Sequence, residues 1–330
     1  MNKAAVVASI LAGEIPTPIS HAIATEPANI ALAKYWGKRN EELNLPITGS
    51  LSISLGKYGA TTEIAQHSAG DLFLLNGNSI EPNSEFSTRL KLFLDLFRPY
   101  PEFYFTVKTQ SKIPIAAGVA SSAAGFAALT RALNVFFGWN LTDSMLSILA
   151  RLGSGSACRS LWHGFVEWQP GTQEDGMDSF AKPIPSEWRD LRIGLLLFNI
   201  EKKAISSRKA MQQTVLSSPF YREWPQHVAK SIQALHQAIS QQDFILLGKT
   251  AESNALAMHA TMLTADPTIC YWQPETVTGM QKVWHARNNG LPLYFTQDAG
   301  PNLKLLFLQE HSHVVKDIFP EVTIIDPWDL

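Results

Sequence analysis

Pro114-Ile115-Ala116-Ala117-Gly118-Val119-Ala120-Ser121-Ser122-Ala123-Ala124-Gly125-Phe126-Ala127-Ala128-Leu129 is the stretch from which the rest of the chain is read. Pro114 and Gly118 interrupt regular structure. Ser121 and Ser122 suit a helix start, because their hydroxyls can accept from the free N–H groups of a first turn. Ala123, Ala124, Ala127 and Ala128 then favour helix and add little bulk. The run predicts a small-residue loop entering a helix near Ser121. Unobstructed N–H groups, the positive end of a helix dipole and two hydroxyls can hold a phosphate. No Gly-Lys-Ser/Thr follows, so a cation for that phosphate must come from elsewhere. Close packing is the plainer use of the same small residues, and the local pattern alone leaves both readings open.

The flanking segments alternate between strand and helix signals. Residues 103–109 read as a strand leading to a turn at 111–114. Upstream, Leu51, Ile53 and Leu55 alternate as a strand. Lys57-Tyr58-Gly59 reads as a turn, residues 61–65 and 72–75 as strands paired with each other, and Asn76-Gly77 as a hairpin turn. Residues 39–44 read as a polar loop and 86–97 as a helix. Downstream, a helix capped by Thr142 runs to about Arg151. A second small-residue turn into a helix covers 153–159, a strand 165–168, and a polar turn region 169–178. The second half shows an apolar strand at 192–199, helices at 225–239, 244–262 and 274–288, and closing strands at 293–297 and 322–325. Pro, Ser and charged residues gather at 183–190, where a domain boundary is expected. Strict β-α-β alternation is missing, which predicts an α+β fold rather than a doubly wound one.

Composition narrows the function. The chain has 330 residues, 45% hydrophobic, with 27 Lys and Arg against 29 Asp and Glu. No basic run suggests nucleic acid as a partner. The two cysteines, Cys158 and Cys270, cannot form a disulfide framework or a Cys-x-x-Cys zinc site, and fit a cytoplasmic protein. Residues 4–12 loosely imitate a signal peptide, but Glu14, Pro16, Pro18 and His21 interrupt it, and the run is too short to span a bilayer, so no membrane partner is expected. Residues 1–20 read as a poorly ordered extension.

Four polar clusters lie among the apolar segments: residues 34–38, Ser121-Ser122, residues 154–159 and residues 298–302. Each has a structural alternative. Lys34 and Lys38 are spaced as on one solvated helix face, Arg159 could be a surface arginine, and Asp298 before Ala-Gly-Pro suits a turn. Together, two small-residue helix starts, several cations and one acid at a strand end are the parts of phosphoryl transfer, where a protein mainly positions groups and neutralises charge. The histidines form no His-Glu-x-x-His motif, and Ser154–Ser156 is out of register for a nucleophile elbow.

At these residues the chain resembles the diphosphomevalonate decarboxylase family of the GHMP kinase superfamily. The matching segments are 28–38, 46–55 around Thr48-Gly49-Ser50, 114–129, 153–161, Met177-Asp178-Ser179, Ser206-Ser207-Arg208 with Met211, Met258-His259-Ala260-Thr261, and 294–302, in family order. The resemblance implies a two-domain GHMP kinase fold. A ribosomal protein S5 domain 2-like domain over 21–188 would bind ATP and phosphate, and a ferredoxin-like domain over 189–330 would follow, with substrate between them. It implies ATP-dependent conversion of (R)-5-diphosphomevalonate to isopentenyl diphosphate, with Mg²⁺ bridging the phosphates.

Carried over by motif, Asp298 would face the C3 hydroxyl, orient it and accept its proton. Arg159 would hold the substrate carboxylate, and Lys34 would keep Asp298 ionised. Asn29, Tyr35, Lys38, Ser154, Ser156 and Arg208 would bind substrate, the last five at its diphosphate. Gly118, Ala120, Ser121 and Ser122 would bind ATP, with Ser121 nearest the transferred group. No side-chain metal ligand is implied beyond a contribution from Ser121. Arg208 stands where some members have Thr, and Ala210 where the family usually has Gly. Members are often homodimers. A phosphomevalonate decarboxylase or mevalonate 3-kinase-type relative of the same superfamily, and a catalytically silent nucleotide-binding protein, are the alternatives.

Overall fold

The computed structural model describes residues 1–13, 17–112, 121–199 and 205–330. Helix α1 (Lys3–Leu11) opens the chain, with the Asn2 side chain accepting from the Ala5 N–H at 2.9 Å. Val6, Val7 and Ile10 are buried in the same core as Phe126, Leu133 and Leu149. The expectation of a poorly ordered extension is therefore corrected over this helix. An Asn cap and an apolar face at i, i+1 and i+4 fold it onto the body of the protein.

Strand β1 (His21–Ala33), a short ribbon of β2 (Lys38–Asn40) and β3 (Leu45–Pro46), and β4 (Ser50–His67) follow. The ribbon replaces part of the loop expected at 39–44. β4 runs straight through Lys57-Tyr58-Gly59, where a turn was expected. Its register with β1 shifts between Pro27 and Asn29, and Gly56 takes φ +55°, so the glycines serve an irregularity in a long strand rather than a reversal. A Cβ on Gly59 would sit 2.1 Å from the Glu26 carbonyl oxygen, so only glycine allows this approach.

Next come β5 (Leu72–Leu75), β6 (Asn78–Ser79), α2 (Glu85–Leu94), β7 (Tyr104–Ser111), α3 (Ser121–Phe137), α4 (Asp143–Gly153), β8 (Phe165–Trp168) and β9 (Ala181–Ile184). Asn76-Gly77 turns the β5–β6 hairpin as expected, both residues at positive φ. Residues 61–65 and 72–75 do not pair with each other. β7 lies between them, antiparallel to β4 and parallel to β5, because the α2 crossover returns the chain in the β5 direction. The sheet order is β6-β5-β7-β4-β8-β9, with β1 also paired to β4.

The second half holds β10 (Leu191–Leu196), α5 (Ser207–Ser217), α6 (Trp224–Gln241), α7 (Phe244–Leu263), α8 (Pro274–Asn288), β11 (Tyr294–Gln297), β12 (Leu303–Leu308), α9 (Ser312–Ile318) and β13 (Thr323–Ile325). Its antiparallel sheet has the order β11-β12-β10-β13. β12 gave no alternation in sequence, because apart from Lys304 it is apolar throughout and almost wholly buried. Leu32 of β1, Ile53 of β4, Ile193 of β10, Leu235 of α6 and Leu247 of α7 belong to one core, which brings the ends of β1 and β11 together. The arrangement is the α+β class that the sequence predicts. Among the described residues no helix is long and apolar enough to cross a membrane.

Candidate active site

Asp298 follows β11 at the start of the Ala-Gly-Pro turn. Its carbonyl oxygen accepts from the Gly300 N–H at 2.7 Å and from His259 Nε2 at 3.1 Å, so the backbone on either side is fixed. A carbonyl can only accept, which places the proton of His259 on Nε2. Burial, ahead of the nearby lysines, lowers the His259 pKa to about 3, so the ring is neutral, and it stacks on Trp272.

The Asp298 carboxylate is bracketed by two lysines. Lys34 Nζ lies 2.8 Å from Oδ1 and Lys304 Nζ 3.1 Å from Oδ2. Both ammonium groups are buried, whereas 29% of the aspartate side chain remains open to the cleft. Burial alone would raise the carboxyl's pKa, but Lys304 and then Lys34 outweigh it and hold the group well below the usual carboxylate range. Lys34 shifts the other way for a cation: burial lowers its pKa to about 8, Asp298 offsets part of this, and Lys304 and Arg159 add to it. The two shifts agree once charges are counted. Several buried cations share one anion, so the anion is stabilised more than each cation is.

Local structure fixes Lys34 equally firmly. Its N–H donates to Asn254 Oδ1 of α7 at 2.8 Å, and its Nζ also donates to the Ala31 carbonyl at 2.7 Å. Lys34 follows a strand and Lys38 begins one, so the helix-face reading of this pair does not hold. Between them, the Trp36 carbonyl accepts from the Tyr221 hydroxyl and Trp224 Nε1, both at 2.9 Å, and Gly37 takes φ +112° to redirect the chain.

Arg159 lies in a short 3-10 turn after α4 and is 3% exposed. Its guanidinium donates to Ser52 Oγ at 3.1 Å, to Asn29 Oδ1 at 3.1 Å and to Ser50 Oγ. These acceptors are neutral, and among the described residues no carboxylate lies within ion-pair distance. Asn29 lines the cleft, but its amide is committed: Oδ1 to Arg159, Nδ2 to Ser160 Oγ at 2.7 Å and to the Ser156 carbonyl. It holds the arginine in place. A buried guanidinium without a counter-ion is costly, and an arriving anion relieves that cost.

A single cleft of about 420 Å³ collects these groups. Its lining includes Asn29, Lys34, Arg159 and Asp298, and also Tyr35, Lys38, Ser154, Ser156, Arg208 and Ser122. Ser154 caps the end of α4, and Arg208 stands in the first turn of α5. Lys38 is paired with Glu41 at 2.8 Å. The Tyr35 hydroxyl is buried without a hydrogen-bond partner among the described residues. Ala210 is buried inside α5, where alanine is favoured over the family's usual glycine by about 1 kcal/mol.

Gly155 belongs to the same wall. A Cβ there would sit 2.8 Å from Tyr35 Cε1 and 2.9 Å from its hydroxyl. The ring already packs edge-on against Trp168 at 4.7 Å, so it has little room to retreat. Gly155→Ala is expected to cost about 1–3 kcal/mol of stability, read as a lower thermal midpoint. An unchanged midpoint would show that the tyrosine can move aside.

Ser122 brings the first turn of α3 to the cleft. Gly118, Ala120 and the Ser121 side chain lie outside the described residues. Among the described residues no group of three or more His, Cys, Asp or Glu side chains comes together to hold a metal. Sequence reasoning missed Lys304 and Arg89. Lys304 left a signal, being the only polar residue in an apolar run six positions after Asp298. Arg89 left none. It reaches the cleft from α2, donates to the Gly153 carbonyl at 3.3 Å and stacks over Phe126.

Two family models match the chain. The diphosphomevalonate decarboxylase-like N-terminal domain matches residues 26–181, and the mevalonate 5-diphosphate decarboxylase C-terminal domain residues 193–326. The diphosphomevalonate decarboxylase of Saccharomyces cerevisiae is 34% identical, covering 92% of this chain and 82% of the relative. A solved structure of the mevalonate diphosphate decarboxylase from Enterococcus faecalis is 39% identical, with a TM-score of 0.86 over 93% of this chain and 96% of that one. A 40% identical chain, solved in complex with MVAPP, AMPPCP and magnesium, superposes with a TM-score of 0.87 over the same shares. With a family model matched to each half in order, the chain belongs to the diphosphomevalonate decarboxylase family.

Proposed function

We propose that this chain uses ATP to convert (R)-5-diphosphomevalonate to isopentenyl diphosphate, ADP, phosphate and CO₂. The observation that carries the reading is one cleft shared by the ionised Asp298, the Arg159 guanidinium without a carboxylate partner and the first turn of α3 at Ser122. A tertiary hydroxyl is a poor leaving group, and phosphorylation makes it a good one. The C3 oxygen bonds to the γ-phosphorus as the bond to ADP breaks, and the hydroxyl proton passes to an oxygen of the transferred phosphoryl group. The C3–O bond then breaks and phosphate leaves. The electrons of the C1–C2 bond form the alkene, and C1 departs as CO₂.

On this reading Asp298 accepts a hydrogen bond from the C3 hydroxyl and aims its oxygen at the γ-phosphoryl. Two lysines make it a weak base, so it acts chiefly by alignment and as a fixed anion facing C3, where positive charge develops. Arg159 anchors the substrate carboxylate, while Tyr35, Lys38, Arg89, Ser154, Ser156 and Arg208 hold the diphosphate. The nucleotide phosphates bind at the first turn of α3 around Ser122, and the roles of Gly118, Ala120 and Ser121 toward ATP rest on the family resemblance. Mg²⁺ is held through phosphate oxygens and water, consistent with both Asp298 oxygens being taken by lysines, and supplies neutralisation of phosphate charge. Residues 21–188 form the ATP- and phosphate-binding domain, and residues 189–330 form a second domain carrying Asp298. A cytoplasmic setting suits the two free cysteines.

The direct test is an assay that follows ATP consumption, CO₂ release and isopentenyl diphosphate together. Turnover of diphosphomevalonate well above that of the monophosphate supports the reading; ATP consumption without alkene would replace it with a kinase. The Lys34 pKa also sets a pH limb. Below about pH 8 the ammonium is charged and braces Asp298, and above it the charge is lost. kcat/KM is therefore expected to fall as pH rises through about 8. A profile flat to pH 9.5 would remove Lys34 from this role.

A further inference from the structure

We propose that Met258 of α7 is a specificity-determining residue that seats the C3 methyl group of the substrate and limits the C3 substituent to that size. The inference rests on the reaction assigned above. It begins from what α7 does at the cleft. Asn254 Oδ1 accepts from the Lys34 N–H at 2.8 Å, and His259 Nε2 donates to the Asp298 carbonyl at 3.1 Å. Met258 stands one turn after Asn254 and directly before His259. It therefore belongs to the stretch of helix that fixes both members of the Lys34–Asp298 ion pair. The residue is 2% exposed and lines the cleft together with Asp298 and Ala299.

The chemistry at C3 leaves one substituent for this wall. C3 carries a hydroxyl, an arm ending in the carboxylate, an arm ending in the diphosphate, and a methyl group. On the assigned reading Asp298 takes the first, Arg159 the second, and cations such as Lys38 and Arg208 the third. The methyl is the substituent that gains by leaving water for an apolar neighbour. Trp36, Met211, Met258 and Ala299 line the cleft and belong to one buried apolar core. Met211 follows Arg208 by three positions on α5, which puts it toward the diphosphate arm. Ala299 follows Asp298 in the chain, and Met258 precedes the histidine that holds the Asp298 carbonyl, so these two meet the carbon whose oxygen Asp298 binds. An unbranched thioether packed into a core follows the shape of what it covers, and a packed pocket senses a single methylene.

The test uses the full chain and measures kcat/KM for diphosphomevalonate and for its homologue with ethyl in place of methyl at C3. The ratio of the two within one preparation does not depend on how much of that preparation is folded. The parent should favour the methyl substrate by about tenfold or more, the scale for one methylene in an apolar pocket. Met258→Ala should bring the two substrates within about threefold of each other. Met258→Val, a smaller truncation, should move the ratio the same way and decides the matter if the alanine variant does not fold. Met258→Leu, which conserves volume, should stay within about threefold of the parent ratio. Met211→Ala should leave the ratio where it is in the parent. A ratio unmoved in Met258→Ala and Met258→Val, or moved equally by Met211→Ala, would overturn the proposal. A parent chain that turns over neither substrate would instead sink the reaction assigned above; the ratio of the two dissociation constants, measured by calorimetry on the same variants, would still decide the role of Met258.

Discussion

Asp298→Asn is expected to lower kcat by about three to five orders of magnitude, the scale for removing a positioned, charged group that aligns the nucleophile in a coupled site. The substitution keeps the shape of the side chain but removes its charge. Lys34 and Lys304 would then face each other with no anion between them, at 2.8 Å and 3.1 Å from the former carboxylate positions. On the proposed reading other residues hold the substrate's carboxylate and diphosphate, so KM for diphosphomevalonate should move by no more than about threefold, as expected when an interaction acts mainly in the transition state. Steady-state kinetics with a substrate-binding measurement would check both halves. Near-normal turnover would end the assignment of Asp298, and a large KM change with intact kcat would make it a binding residue.

Arg159 should give the second largest effect. Its guanidinium is oriented by Asn29, Ser50 and Ser52, all neutral, which leaves its charge available to a ligand. Arg159→Ala is expected to reduce kcat/KM by about a thousandfold and Arg159→Lys by about a hundredfold, because lysine keeps the charge but loses the planar fork. Asn29→Ala should follow at a smaller cost, since it releases the arginine without removing it. Equal activity of the lysine variant and the parent would contradict bidentate capture of the carboxylate.

Much of the site was legible in sequence because its parts lie at ends of regular elements, where local signals are strong. Ser154 caps α4, Arg208 follows a Ser206 cap, and Asp298 precedes Ala-Gly-Pro. The helix entered at Ser121 is legible from its serine cap residues and the alanines after them, and the three helices expected in the second half match α6–α8 to within two residues at each end. What escaped depends on partners far along the chain. β12 is almost wholly buried, so its sequence lacks the alternation that marks a half-exposed strand, and Lys304 was lost with it. The turn expected at 57–59 failed because Gly56 and Gly59 serve contacts with β1 and with the Asp326–Asp329 carbonyls rather than a chain reversal. β7 separates two strands that look adjacent, since strand order is set by crossover and packing. Arg89 sits on an ordinary amphipathic helix, and only the fold brings it to the cleft. Helix α1 did carry readable signals, its Asn2 cap and the Val6-Val7-Ile10 face.

In the proposed reaction the C3 hydroxyl oxygen takes the γ-phosphoryl group and leaves with it. Diphosphomevalonate labelled with heavy oxygen at that hydroxyl tests this in one turnover with ATP. The label is expected in inorganic phosphate, with one CO₂ and one isopentenyl diphosphate formed per ATP. Label found in water, or CO₂ released without ATP cleavage, would contradict it.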